Sequence, residues 1–162
     1  MLTAEYYIRE LNLLAHPEGG YYKETYRSAG ESIFKGFEGT RSFSTAIYFL
    51  LKDAEKSHLH KIKSDELWFF HAGNPIEIII LIDQKLKIVT LGSAIEKGEA
   101  LQCVVPAGAW FGARVKESRG FGLVSCTVAP GFDFTDFELA EYKKISQDYL
   151  AYDSIVKDMC IK

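Results

Sequence analysis

Ser57-His58-Leu59-His60-Lys61-Ile62, then Asp65-Glu66-Leu67-Trp68-Phe69-Phe70-His71, is the stretch on which the fold of this chain turns. Each half reads as a short strand. Alternate residues of a strand share a face, so His58 and His60 point to one side. Glu66, Trp68 and Phe70 likewise share a face of the next strand, with His71 on the other. Imidazoles and a carboxylate from consecutive strands meet most simply inside a small β-barrel. There they serve as ligands for a metal or as an acid and base for a substrate.

Working outward, β-forming runs recur along the chain. Tyr21 to Ser28, Ser42 to Leu51, Ala100 to Val105, Trp110 to Val115, Phe121 to Ala129 and Phe132 to Leu139 all read as strands. Ile76 to Ile82 and Leu86 to Leu91 read as a hairpin across Asp83-Gln84-Lys85. Residues 29–40 hold three glycines without a period and read as a loop. Thr3 is the expected cap of a helix over residues 3–15, with Tyr7, Leu11 and Leu14 on one side. That helix should end before Pro17, and Gly19-Gly20 make a turn. Residues 140–160 return to helical spacing through Tyr142, Ile145, Tyr149, Tyr152 and Val156. Many short strands separated by turns predict an all-β sandwich or barrel with a helix at each end. The organisation is that of one domain over residues 1–162, with its β core at about 16–139.

The chain has 162 residues, 48% hydrophobic and 14% aromatic, with a formal net charge of −3. No dense basic run is present, which argues against nucleic-acid binding. Cys103, Cys126 and Cys160 lack metal-site spacing and read as free thiols of a reducing compartment. The opening Met1-Leu2-Thr3-Ala4-Glu5 is not a basic-then-apolar leader. The longest apolar stretch, Ile76 to Ile82, is too short to span a bilayer. The expectation is a cytoplasmic protein without membrane or nucleic-acid partners.

Several strings resemble a known family. His58-Leu59-His60 … Glu66 … Gly73 is similar to the first conserved motif of the cupin superfamily, and Gly98 … Pro106-Ala107-Gly108 to the second. More specifically, five strings resemble the DUF985, or cupin-5, group. They are His16-Pro17-Glu18-Gly19-Gly20-Tyr21-Tyr22 with Glu24-Thr25-Tyr26-Arg27-Ser28, Ser64-Asp65-Glu66-Leu67-Trp68, Val105 to Trp110, and Cys126 to Phe132. The resemblance implies a double-stranded β-helix, or jelly roll, with a pocket inside the barrel and usually a homodimer. It implies a fold similar to that of the sugar-nucleotide epimerases of the rhamnose pathway. It does not name a reaction.

Two chemistries compete for the same residues. His58, His60 and Glu66 form a two-histidine, one-carboxylate set suited to iron, manganese or nickel, with zinc as a further option. The ordinary cupin metal site adds a histidine from the second motif, and this chain has Phe111 there. Without a metal, His60 becomes a proton-transfer base oriented by Glu66, with Tyr48 or Tyr22 as the acid. His58, Trp68, Phe111, Tyr48, Tyr22 and Arg27 are then expected around the substrate. Arg27 and Arg41 either clamp an anion or pair with Glu24 or Glu18, and the pairing is favoured. Cys126 is read as a buried structural thiol, and Glu18-Gly19-Gly20 as a turn only.

The expectation is a barrel that binds a small polar, sugar-like ligand or a sugar nucleotide, acting as an isomerase or epimerase by proton transfer. The alternatives are a metal-dependent enzyme such as an oxygenase and a non-catalytic binding module.

Overall fold

The computed structural model describes residues 2–161. In chain order its elements are α1 (Ala4–Glu10), β1 (Leu14–Ala15), β2 (Tyr21–Arg27), β3 (Glu31–Ile33), β4 (Thr40–Ser42), β5 (Thr45–Lys52), β6 (Lys56–Lys61) and β7 (Asp65–Gly73). They continue with β8 (Ile76–Ile82), β9 (Lys85–Leu91), β10 (Gln102–Val105), β11 (Trp110–Val115), β12 (Phe121–Ala129), β13 (Glu138–Leu139), α2 (Tyr142–Ile145) and α3 (Asp153–Met159). Two sheets face one another, ordered β1-β2-β5-β12-β7-β10 and β13-β6-β11-β8-β9. Consecutive strands β5, β6, β7 and β8 alternate between the sheets, which is the double-stranded β-helix expected. Among the described residues no helix is long and apolar enough to cross a membrane.

The core lies between the sheets. Phe49, Leu51, Trp68, Val124 and Cys126 meet Ile78, Ile80, Phe111, Ala113 and Val115. Each large side chain buried there contributes about 1.5–3 kcal/mol relative to exposure. β8 is apolar on both faces for a reason. Ile78 and Ile80 enter this core, while Ile79 and Leu81 pack outward under Ile145, Val156 and Met159 of the C-terminal segment. On the outer face of the first sheet, Leu50 and Leu123 receive Ala4, Tyr7, Ile8 and Leu11 of α1.

Four local expectations change. The first helix ends at Glu10 because Asn12 takes φ 53°, and Leu13 N–H closes onto Ile8 O at 2.9 Å, a left-handed C-terminal cap. Residues 29–40 are not wholly loop, since β3 and β4 pair into a short hairpin. Phe132 to Leu139 is not one strand. Asp133 accepts from Thr135 N–H at 2.8 Å and caps a 3-10 turn over Phe134–Asp136, which leaves only Glu138–Leu139 extended. The C-terminal helix breaks between α2 and α3, and the Tyr142 hydroxyl donates back to Asp153 at 2.6 Å.

Candidate functional site

Between the sheets, at the end where β2, β5, β7 and β12 begin or end, lies a cavity of about 290 Å³. Its lining includes His16 and Glu18 from the loop before β2, Tyr22, Glu24 and Arg27 from β2, and His60 from β6. Glu66 comes from β7 and Cys126 from β12, and Phe132, Asp133 and Phe134 from the segment after β12 close the mouth.

The centre of the cluster is Glu18. It is 6% exposed. Its backbone is fastened to β6 by His58, whose main-chain N–H and ring Nδ1–H both donate to Glu18 O, at 2.8 and 2.7 Å. Gly19 makes this approach possible. It sits at φ 107°, and a Cβ there would overlap the Lys56 carbonyl. Thus held, Glu18 accepts from Ser57 Oγ at Oε1 (2.8 Å) and places Oε2 3.1 Å from His60 Nε2.

The proton on this pair can be assigned from its neighbours. His60 Nδ1 lies 2.8 Å from the His58 carbonyl, which only accepts, so Nδ1 carries the hydrogen and Nε2 is bare in the neutral ring. Burial between Phe111 and Phe137, ring centroids 4.1 and 5.2 Å away, pushes the imidazole pKa down to about 3. Burial and the nearby Glu66 charge push the Glu18 carboxyl well above the usual range. Both shifts favour the neutral pair, in which Glu18 Oε2–H donates to His60 Nε2. His16 is neutral as well: burial holds it down to about 4, and its Nδ1 accepts Glu18 N–H at 3.2 Å.

Glu66 stands apart from this pair. It is 7% exposed and lines the cavity. Burial pushes its carboxyl up to about 7, and its hydrogen-bonding neighbour is the Cys126 thiol. That thiol is itself pushed up by burial and by Glu66, so it stays protonated.

The residues expected at the site divide. His60, Glu66, Tyr22 and Arg27 come together around the cavity. His58 does not line it; its ring holds the Glu18 loop and borders a separate cleft beside Gly19, Lys56 and Asp158. Trp68 and Phe111 are fully buried beneath the cavity, edge-on to each other at 6.4 Å. Tyr48 lies on the outer face of its sheet beside His71, because β5 turns Ile47 and Phe49 inward. The orienting partner of His60 is Glu18 rather than Glu66. The expected metal set is not gathered about one point, since the His58 ring is engaged by Glu18 O. Among the described residues no group of three His, Cys, Asp or Glu side chains is placed to hold an ion. Arg27 pairs with Glu24 as favoured, through bonds of 2.9 and 2.7 Å. Arg41 pairs with neither expected glutamate. Its Nε and Nη2 fork onto Asp136 at 2.7 and 3.0 Å.

Sequence reasoning missed His16 and Glu18. Their signal was the string His16-Pro17-Glu18-Gly19-Gly20, where two ionisable groups flank a proline beside glycines that permit close backbone approach.

Comparison with known proteins agrees with this architecture. The profile of a family described as Cupin superfamily (DUF985) matches residues 5–140. An uncharacterised protein of Saccharomyces cerevisiae is 33% identical over 142 residues, covering 80% of this chain and 71% of its own length. The solved structure of a hypothetical protein from Leishmania major has a TM-score of 0.92 at 37% identity, covering 99% of this chain and 100% of that one. A cupin 2 domain-containing protein from Halorhodospira halophila shares the fold alone, with a TM-score of 0.57 at 13% identity, covering 92% of this chain and 88% of its own.

Proposed function

Because the chain belongs to the DUF985 family of the cupin superfamily, we propose that its barrel cavity binds a small polar ligand and moves a proton on it, as an isomerase or epimerase does. The carrying observation is Glu66: a nine-tenths-buried carboxyl at the cavity wall, brought to about pH 7 by burial, with a thiol as its neighbour. A group near half-ionisation at neutral pH serves equally as proton acceptor and donor. Glu66 is then the proton-transfer group. Tyr22, on the same cavity, is the partner acid. The Glu18–His60 pair is a neutral hydrogen-bonding platform that orients the ligand. A volume of about 290 Å³ suits a monosaccharide better than a sugar nucleotide.

A panel of sugars tests this without singling out one substrate. The protein is incubated in D2O with aldoses, ketoses and their acids, and loss of the C–H signal beside the carbonyl is followed by proton NMR. Exchange that disappears in Glu66→Gln supports the reading. Ligand retained in native mass spectrometry without exchange reduces it to a binding module. Neither exchange nor retained ligand overturns it.

A further inference from the structure

The charges around the cavity are lopsided. Four carboxyl groups line it: Glu18, Glu24, Glu66 and Asp133. Asp133 is held below the usual carboxylate range by Thr135, whose N–H and hydroxyl donate to it at 2.8 and 2.7 Å, and to a lesser degree by the charges of Arg41 and Arg27, so it is ionised. The histidines on the same wall, His16 and His60, are kept neutral by burial. The Cys126 thiol carries no charge.

Against these stands Arg27. Its guanidinium is committed: Nε and Nη2 donate to Glu24, Nη2 also to the Phe132 carbonyl at 3.1 Å, and Nη1 to Ser42 Oγ at 3.4 Å. An anion entering would find no uncommitted positive group among the described lining residues and would face Glu66 and Asp133. A cation would find two carboxyls and the rings of Tyr22, Phe132 and Phe134, whose faces attract positive charge. Glu66 is the acceptor that most needs one. It is nine-tenths buried, with only a weak thiol donor beside it.

We infer that the cavity selects a small organic cation, a protonated amine of about hexose size, over its neutral and anionic isosteres. The inference rests on the reading of the cavity as a ligand site and narrows its ligand class. Binding then carries a proton signature. An ammonium beside Glu66 stabilises the carboxylate, so Glu66 gives up its proton to solvent as the ligand enters. A neutral sugar has no such effect.

The experiment is calorimetric titration of the whole protein with glucosamine, glucose and glucuronate, which share one ring and differ in charge. Each is run near pH 7 in two buffers of different ionisation enthalpy. Glucosamine is expected to bind roughly tenfold or more tighter than glucose, and glucuronate weakest. Glu66 should release up to about half a proton on glucosamine binding, less the fraction that the partly neutral amine takes up as it binds in its ammonium form. Glu66→Gln, which mimics the protonated carboxyl, should abolish the release and most of the preference. Glucose or glucuronate binding as tightly as glucosamine, without proton release, overturns the cation inference and leaves the ligand-site reading standing. Absence of binding by all three overturns both.

Discussion

His60 Nε2 and Glu18 Oε2 sit 3.1 Å apart with a single proton between them, and burial of both groups favours that proton on the carboxyl. A buried acid paired with a neutral imidazole avoids the cost of two charges in a low dielectric. It also leaves the Glu66 charge without a fixed counter-ion among the described residues, and this is what makes Glu66 the responsive group of the cavity.

If the proton is on Glu18, glutamine is its mimic. In Glu18→Gln the amide oxygen still accepts from Ser57 Oγ and the amide nitrogen donates to His60 Nε2. Stability should fall by less than about 1 kcal/mol, whereas Glu18→Ala, which strands both partners, should cost about 2–4 kcal/mol. Urea unfolding of the two variants measures this. A large loss in Glu18→Gln would mean that the pair is carboxylate and imidazolium.

The cluster also sets a pH profile. In the unfolded chain the histidines titrate near 6.5 and the carboxyls near 4.5; in the folded one His16 and His60 titrate at about 4 and 3, Glu66 at about 7 and Glu18 well above 4.5. Below about pH 4.5 the unfolded state holds the extra protons, on its histidines, so stability rises with pH. Between about 4.5 and 6.5 the folded state's carboxyl protons offset the unfolded state's histidine protons, and the curve is flat. Above about 6.5 only the folded carboxyls hold extra protons, and stability falls through pH 7 and beyond. Glu66→Gln removes part of the alkaline fall. The variant should gain on the order of 2 kcal/mol on the parent between about pH 5 and pH 8. Unfolding by urea across this range is the measurement, and an unchanged alkaline limb would place the Glu66 pKa elsewhere.

The mouth of the cavity depends on a buried ion pair away from it. Arg41 of β4 forks onto Asp136 and also donates to Thr135 Oγ1 and to the carbonyls of Glu38 and Thr40. It thereby fixes the turn that carries Asp133 and Phe134. Among the described residues, Arg41→Ala leaves Asp136 buried with only Lys63, 3.4 Å away, as a cation. The urea midpoint should drop by about 1 M or more. Proteolytic cleavage within residues 28–44 should quicken as the hairpin detaches, and equal cleavage rates would show that the hairpin is held by other contacts.

The barrel was legible because its signal is repetitive. Alternating side chains in β6 and β7, and turn residues between short strands, constrain the layers many times over. The cavity was half legible for the same reason. Strand period puts His60 and Glu66 inward, but it equally suggested His58, and it did not choose between Tyr48 and Tyr22. His58 instead turns to the Glu18 carbonyl, a contact spanning forty residues of chain, and borders a different cleft. Tyr48 was a failure of facing, since Ile47 and Phe49 took the inner positions of β5. Glu18 was illegible by period because it lies in no strand. Its place depends on a left-handed glycine and on the space beside Lys56, which only tertiary structure reveals.

That dependence separates two kinds of glycine. Gly19 (φ 107°) and Gly108 (φ 76°) both occupy left-handed backbone, but a Cβ at Gly108 meets nothing within 4 Å, whereas at Gly19 it overlaps the Lys56 carbonyl. Gly108→Ala should therefore show backbone strain alone, about 1 kcal/mol. Gly19→Ala adds a collision with main chain that cannot rotate away, so the loop must lift from β6. Lifting it breaks both His58 bonds to the Glu18 carbonyl, then the Ser57 and His60 bonds to its side chain. The cost should exceed that of Gly108→Ala by about 2 kcal/mol or more. Urea unfolding compares the two. In Gly19→Ala the His60 ring should also lose Glu18 as its partner at Nε2 and report this as a shifted imidazole nitrogen resonance, while Gly108→Ala leaves that resonance in place. Equal stabilities and equal spectra would show that the loop carrying Glu18 is held by something other than its close approach to β6.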